Sequence, residues 1–181
     1  PRGENPEADR RNLHDLEASE KNRAENIMIT DLMRNDLTRY AVTGSIRADE
    51  LFRVYSFPQV YQMVSKVSAE LLPGADPVDV VKNAFPMGSM TGAPKVRVMQ
   101  LIDELEDSAR GLYSGSFGYF SPNGDADLNV VIRSILYHAG SGMVSVHAGG
   151  AIVYDSEPEE EYKECLLKIN VLLKLLGTHS A

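Results

Sequence analysis

The chain predicts an α+β fold of mainly antiparallel strands with helices on the outer faces. Two observations carry that prediction. Apolar residues recur at helical spacing in segments near the start, middle and end of the chain. Between them lie blocks of β-branched and aromatic residues, joined in the second half by short Asn-Gly-Asp and Gly-Ser-Gly turns. Turns that short join antiparallel strands, so the helices are expected to be segregated from the strands rather than wound between them.

The elements follow in order. From Asn5 to about Tyr40, acidic residues follow Pro6, and Leu13, Leu16, Ile27, Met28, Leu32 and Leu37 recur at helical intervals, which predicts two consecutive helices. From Gly44 to about Leu72 the texture of VYSFPQVYQMVSKVSAEL predicts strands, with Pro58 as a break. PVDVVKNAF predicts a short helix with proline in its first turn, and APKVRVMQLIDELE an amphipathic one. A meander of three strands follows Gly111: SGSFGYFSP, LNVVIRSILYHAG and MVSVHAGGAIVY. SEPEEEYKECLLKINVLLKLLG predicts a long final helix, with Ser156 as N-cap, Pro158 in the first turn and Gly177 as the stop.

Composition narrows the function. A chain of 181 residues, 43% of them hydrophobic, has the means to bury a core and fits one domain. The net charge of -8 with scattered basic residues argues against a nucleic-acid or anionic membrane surface and for a small-molecule or protein partner. Cys165 is the single cysteine, which excludes an internal disulfide and a thiolate zinc cluster and suits a reducing cytoplasm. INVLLKLLG, interrupted by Lys174, is too short to cross a bilayer. The opening PRGENPEADR has neither an initiator methionine nor a signal segment, so the chain is expected to be the back part of something longer.

FPMGSMTGAPKVRVM contains glycines that permit close backbone approach, followed by a proline that suits a helix start. Lys95 is followed by Val96 instead of Ser or Thr, so the segment fails the pattern of an ATP phosphate loop. It reads either as a tight turn feeding a helix or as a place for an anion. Glu161 and Glu164 are three apart, on one helix face, and Lys168 follows Glu164 by four. With Glu25 of the second helical segment they form either ordinary dipole and surface pairing or an oxygen set suited to magnesium.

Arg133 lies among apolar residues and shares a face with Val131 and Ile135 by strand alternation. It either faces solvent or clamps a carboxylate. Tyr113 has small neighbours that fit either a core tyrosine or a phenol with open space beside it. Gly149 and Gly150 fit either a bulge or a close backbone approach to a ligand. His14, His138, His147 and His179 show no metal-ligand spacing, and no Ser or Cys nucleophile signature is present.

AENIMITDLMRNDL, PMGSMTGAPKVRVMQLIDELE, RGLYSGSFGYF, LNVVIRS and DSEPEEEYKE, in that order, resemble the chorismate-utilising enzymes over nearly the whole chain. The resemblance implies two sheets packed orthogonally between helical layers, with residues 1–181 as the C-terminal part of a chorismate-binding catalytic domain. It implies Glu25 and Glu164 as magnesium ligands and Glu161 as the acid supporting them. Ser89 falls at the hydroxyl position of the pocket, Tyr113, Arg133 and Lys168 match groups that hold carboxylates, and Gly149 matches a backbone donor. Chorismate is a dianion, so a metal for one carboxylate and an arginine with a lysine for the other is a sensible division.

Three departures accompany the resemblance. Gln62 stands where the family has histidine, and glutamine does not shuttle a proton near neutral pH, which favours the aminodeoxychorismate branch over pyruvate elimination to anthranilate. Gly149, Gly150 and Ala151 replace the usual Gly-Ala-Gly. Only Pro1, Arg2 and Gly3 of the Gly-Thr-x-Pro-Arg-Gly segment are present, so the upstream acid is expected to lie outside these residues, and the piece alone to be inactive. The implied activity is magnesium-dependent amination of chorismate with ammonia from a glutamine amidotransferase partner. The other readings are the anthranilate-forming activity of the same family and a non-catalytic domain of the same fold.

Overall fold

A computed structural model describes residues 1–154 and 156–177, so His179 lies outside the described residues. The elements form two compact units, Pro1–Glu104 and a second beginning at Leu105. The fold is α+β, with small antiparallel hairpins and helices outside them.

In the first unit, α1 (Pro6–Ala18) begins where the Asn5 side chain accepts hydrogen bonds from the Glu7 and Ala8 backbone amides. Ser19 closes α1 through its N–H and opens α2 (Glu20–Thr38) by accepting from the Asn22 amide, so one residue makes the corner between two helices. β1 (Arg47–Ser56) and β2 (Tyr61–Ser68) pair antiparallel, Arg53 opposite Val64 and Tyr55 opposite Gln62. The register shifts between Glu50 and Arg53, around Phe52 at φ 56°, as expected of a bulge. Helix α2 packs over this hairpin where Asn26 meets Ser65, and among the described residues Met63 and Ala41 are the buried apolar ones. α3 (Pro77–Ala84), capped by Asp76, leads to a single 3-10 turn at Gly88–Met90 and then to α4 (Lys95–Leu105).

The second unit contains two hairpins and a helix. β3 (Ser116–Phe120) pairs with β4 (Ala126–Val130), and β5 (Ile135–His138) with β6 (Met143–Val146). Glycines take positive φ at both turn tips, Gly124 at 91° and Gly142 at 70°. α5 (Pro158–Leu175) ends just before Gly177, which sits at φ 71°.

Three expectations change. LNVVIRSIL is two strands instead of one, because Arg133 adopts a left-handed conformation at φ 51° between β4 and β5. Strand alternation therefore does not extend across it, and Arg133 is exposed. The last strand stops at Val146, and the glycine-containing stretch after it is irregular. Ser156 does not cap α5. Glu157 occupies that position, and the Ser156 hydroxyl donates to the Glu161 carboxylate instead. Among the described residues the strands form three separate two-stranded sheets.

Candidate functional site

In the second unit, an irregular stretch meets one face of α5. The Tyr113 ring stacks on His147, centroids 5.4 Å apart and planes 17° apart. Its hydroxyl lies over Gly149, where an added Cβ would sit 3.1 Å from the phenol oxygen. The Lys168 ammonium donates to the Gly149 carbonyl at 2.9 Å and pairs with Glu164 at 2.7 Å. Tyr113, Gly149, Lys168 and Glu164 are thus one cluster. Burial pushes the Tyr113 phenol above its ordinary pKa, with the charges of Arg110 and Lys168 acting against it, so the phenol keeps its proton at neutral pH and acts as a donor.

Glu161 lies one turn earlier on α5 and is buried, at 8% exposure. The Ser156 hydroxyl donates to one of its carboxylate oxygens at 2.7 Å and in turn accepts from the Val153 amide at 3.1 Å. Gly150 lies against the other oxygen, 2.9 Å from where a Cβ would stand. Both glycines are therefore places of close approach: Gly149 admits the phenol and Gly150 the carboxylate. Ala151 is exposed. Gly149 enters the cluster through its carbonyl accepting from Lys168, a contact its expected role as backbone donor does not describe.

The other predicted residues fall elsewhere. Arg133 stands exposed at the junction of β4 and β5. Glu25, Gln62 and Ser89 belong to the first unit. Glu25 keeps 31% side-chain exposure on α2, with the Lys21 ammonium 3.9 Å away. Ser89 is exposed on the 3-10 turn, and Gln62 is exposed on β2 opposite Tyr55.

Sequence reasoning missed His147, which forms the other half of the Tyr113 stack, because histidine spacing speaks to metal binding and carries no signal for a ring stack between distant segments. It also missed Arg110, whose guanidinium pairs with Glu106 at 2.6 Å and reaches the Ser114 hydroxyl at 3.3 Å beside Tyr113. The four-residue interval from Glu106 to Arg110 was the available signal.

The predicted metal ligands, Glu25 and Glu164, and their supporting acid Glu161 are all carboxylates, and hard oxygens of that kind suit magnesium, which retains several waters. Glu161 is fixed by Ser156, while Glu164 remains half exposed three residues on, so α5 offers one rigid and one accessible carboxylate. Among the described residues, groups of three His, Cys, Asp or Glu side chains close enough to hold a metal are absent. The residues on α5 nonetheless fit a hard cation by donor type.

Comparison with known proteins agrees with the motifs. Residues 1–174 match the model of a family described as chorismate binding enzyme. The chain is 48% identical over 178 residues to an aminodeoxychorismate synthase of Streptomyces griseus, covering 98% of this chain and 24% of that protein. It is 47% identical to aminodeoxychorismate synthase component 1 of Salmonella typhimurium, covering 96% of this chain and 38% of the relative. It is 45% identical to anthranilate synthase component 1 of Aquifex aeolicus, covering 97% and 35%. Among solved structures, anthranilate synthase component I of Streptococcus pneumoniae superposes with a TM-score of 0.77 at 38% identity, covering 90% of this chain and 37% of that one. The menaquinone-specific isochorismate synthase of Escherichia coli shares the fold, with a TM-score of 0.77 at 24% identity over 97% of this chain and 39% of that one. The chain thus spans well under half the length of these relatives, and by its match over residues 1–174 it belongs to the chorismate-binding enzyme family.

Proposed function

We propose that this chain carries the chorismate-holding part of an aminodeoxychorismate synthase component I. The reaction is magnesium-dependent replacement of the ring 4-hydroxyl of chorismate by an amino group, with ammonia drawn from a glutamine amidotransferase subunit or domain in the cytoplasm. The observation that carries this reading is the convergence of the protonated Tyr113 phenol and the Lys168 ammonium on the Gly149 backbone. A neutral donor beside a cation suits a carboxylate.

In this reading Lys168 neutralises a substrate carboxylate, Tyr113 donates a hydrogen bond to it, and exposed Arg133 supplies a planar two-pronged contact. Ser89 contributes a hydroxyl. Glu25 and Glu164 would hold magnesium, with Glu161 steadying Glu164's end of the helix. Bound magnesium would supply Lewis-acid stabilisation of the charge that develops as the hydroxyl departs. Gln62 is uncharged and does not titrate near neutrality, which supports retention of the enolpyruvyl group over its elimination.

The second reading is anthranilate synthase component I, favoured by the 45% identity to the Aquifex aeolicus protein. Product identification separates the two. The full-length protein, incubated with chorismate, magnesium and ammonium, is expected to give aminodeoxychorismate without pyruvate. Anthranilate with pyruvate would transfer it to the second reading, and no magnesium-dependent turnover would leave a non-catalytic domain.

A further inference from the structure

The segment from Gly88 to Lys95, whose first turn carries Ser89, is tied to α2 at both ends. Gly88 is buried directly against Leu32, and a Cβ there would stand 2.4 Å from the Leu32 Cδ2 atom. No side chain fits, so the backbone itself rests on the helix. At the other end, the Lys95 ammonium reaches both carboxylate oxygens of Asp36 at 2.7 Å and the Ala84 carbonyl at 3.2 Å. Asp36 is 7% and Lys95 16% exposed, so the pair is largely withdrawn from water. The Asn83 amide donates to the Asp36 carbonyl at 2.6 Å, which draws the end of α3 to the same point. Between the two anchors Ser89 stays exposed.

Glu25, Ile29, Leu32 and Asp36 follow intervals of four, three and four residues, which is one face of α2. Leu32 lies about 10 Å along the helix axis from Glu25, two turns away. We propose that Asp36 and Lys95 are positioning residues: their buried ion pair, with the Gly88 contact, fixes the Ser89 turn at a set distance from Glu25 along α2. A buried ion pair is more often neutral than stabilising when compared with apolar replacements. Its retention here is explained by geometry, since an ammonium with three donors satisfies two carboxylate oxygens and a helix-end carbonyl at once. That Ser89 and Glu25 serve chorismate and magnesium rests on the function proposed above; the anchoring does not.

The test uses the full-length protein with Lys95→Met, Asp36→Asn and Lys95→Arg. Amide hydrogen exchange is followed in peptides covering residues 85–94, with peptides covering 47–68 as the reference. Lys95→Met and Asp36→Asn are expected to speed exchange in 85–94 at least about ten-fold more than in 47–68, and Lys95→Arg to restore most of the protection. Equal acceleration in both regions, or an unchanged turn, would overturn the proposal. A second readout is kinetic: Lys95→Met is expected to raise the KM for chorismate about ten-fold with kcat changed less, and an unmoved KM in an active enzyme would also overturn it. If the turn loosens while the unsubstituted protein never turns over chorismate, the anchoring stands and the assignment of Ser89 to chorismate falls.

Discussion

Two residues show how local surroundings set chemical character. Asp9 accepts from the Arg2 guanidinium at 2.7 and 2.6 Å, from the Gly3 amide at 2.8 Å and from the Tyr61 hydroxyl at 2.8 Å. The Arg2 hydrogen bonds, then that from Gly3, hold its carboxyl well below the usual carboxylate range. A depressed pKa contributes stability above the unfolded value, about 3.9, and that contribution is lost as pH falls toward the folded value. The denaturation midpoint in urea is therefore expected to hold down to about pH 4 and to drop below it. Asp9→Asn should lower the midpoint at neutral pH and flatten the acid limb, leaving a residual slope from Glu50 and Glu106, whose pKa values are also lowered. Tyr113 is the opposite case, a phenol kept protonated by burial. Tyr113→Phe keeps the stack on His147 and removes the donor, so calorimetry with the full-length protein is expected to show chorismate affinity reduced by about 1.5–3 kcal/mol, with unchanged thermal stability.

Among the elements, α5 is the most informative because its beginning serves the candidate site as well as the helix. Its first turn carries Glu159, Glu160 and Glu161, which favours the helix dipole, yet Glu161 is turned inward and held by Ser156. Replacing Ser156 with alanine would remove a hydrogen bond from a buried carboxylate, and the expected cost is about 1–3 kcal/mol in chemical denaturation. A double-mutant cycle with Glu161→Leu, which leaves no acceptor at residue 161, separates this contact from capping: the two substitutions are expected to be clearly non-additive, whereas a capping hydroxyl would act independently of residue 161. The helix α2 works differently. One of its faces holds Glu25, Leu32 and Asp36, and the flank beside it takes Asn26 to Ser65 of β2, so a single helix connects the hairpin to the Ser89 turn.

For the whole molecule, the net charge of -8 conflicts with the dianionic substrate of the proposed function unless positive charge is concentrated locally. Lys168 provides part of that concentration in the second unit. A divalent cation on the glutamates would supply more, which gives a direct prediction for the proposed function. Chelation of divalent metal from the full-length protein is expected to abolish chorismate binding in calorimetry, and added magnesium to restore it, while Glu164→Gln should weaken magnesium-dependent binding about ten-fold or more. Binding indifferent to chelation would contradict the metal reading and leave Lys168 and Tyr113 as the carboxylate site.

The helices, the tight turns between strands and the family were legible in the residues alone. Asn5, Ser19 and Asp76 cap helices, Gly124 and Gly142 turn strands, and Gly177 follows the last helix, because backbone sterics and hydrogen bonds to side chains act within a few residues of chain. Tertiary structure decided what those signals do not reach. Arg133 looked like a strand residue by alternation and is a left-handed break, and Ser156 looked like a cap and holds a buried acid. Lys95 stood in a segment that reads either as a tight turn or as a place for an anion, and it is committed to Asp36, 59 residues earlier. His147 acquired a role only when the chain brought it onto Tyr113. In each case the partner is chosen by which surfaces are buried together, and burial is a property of the folded chain: it makes an unpaired polar group costly and so selects the contact.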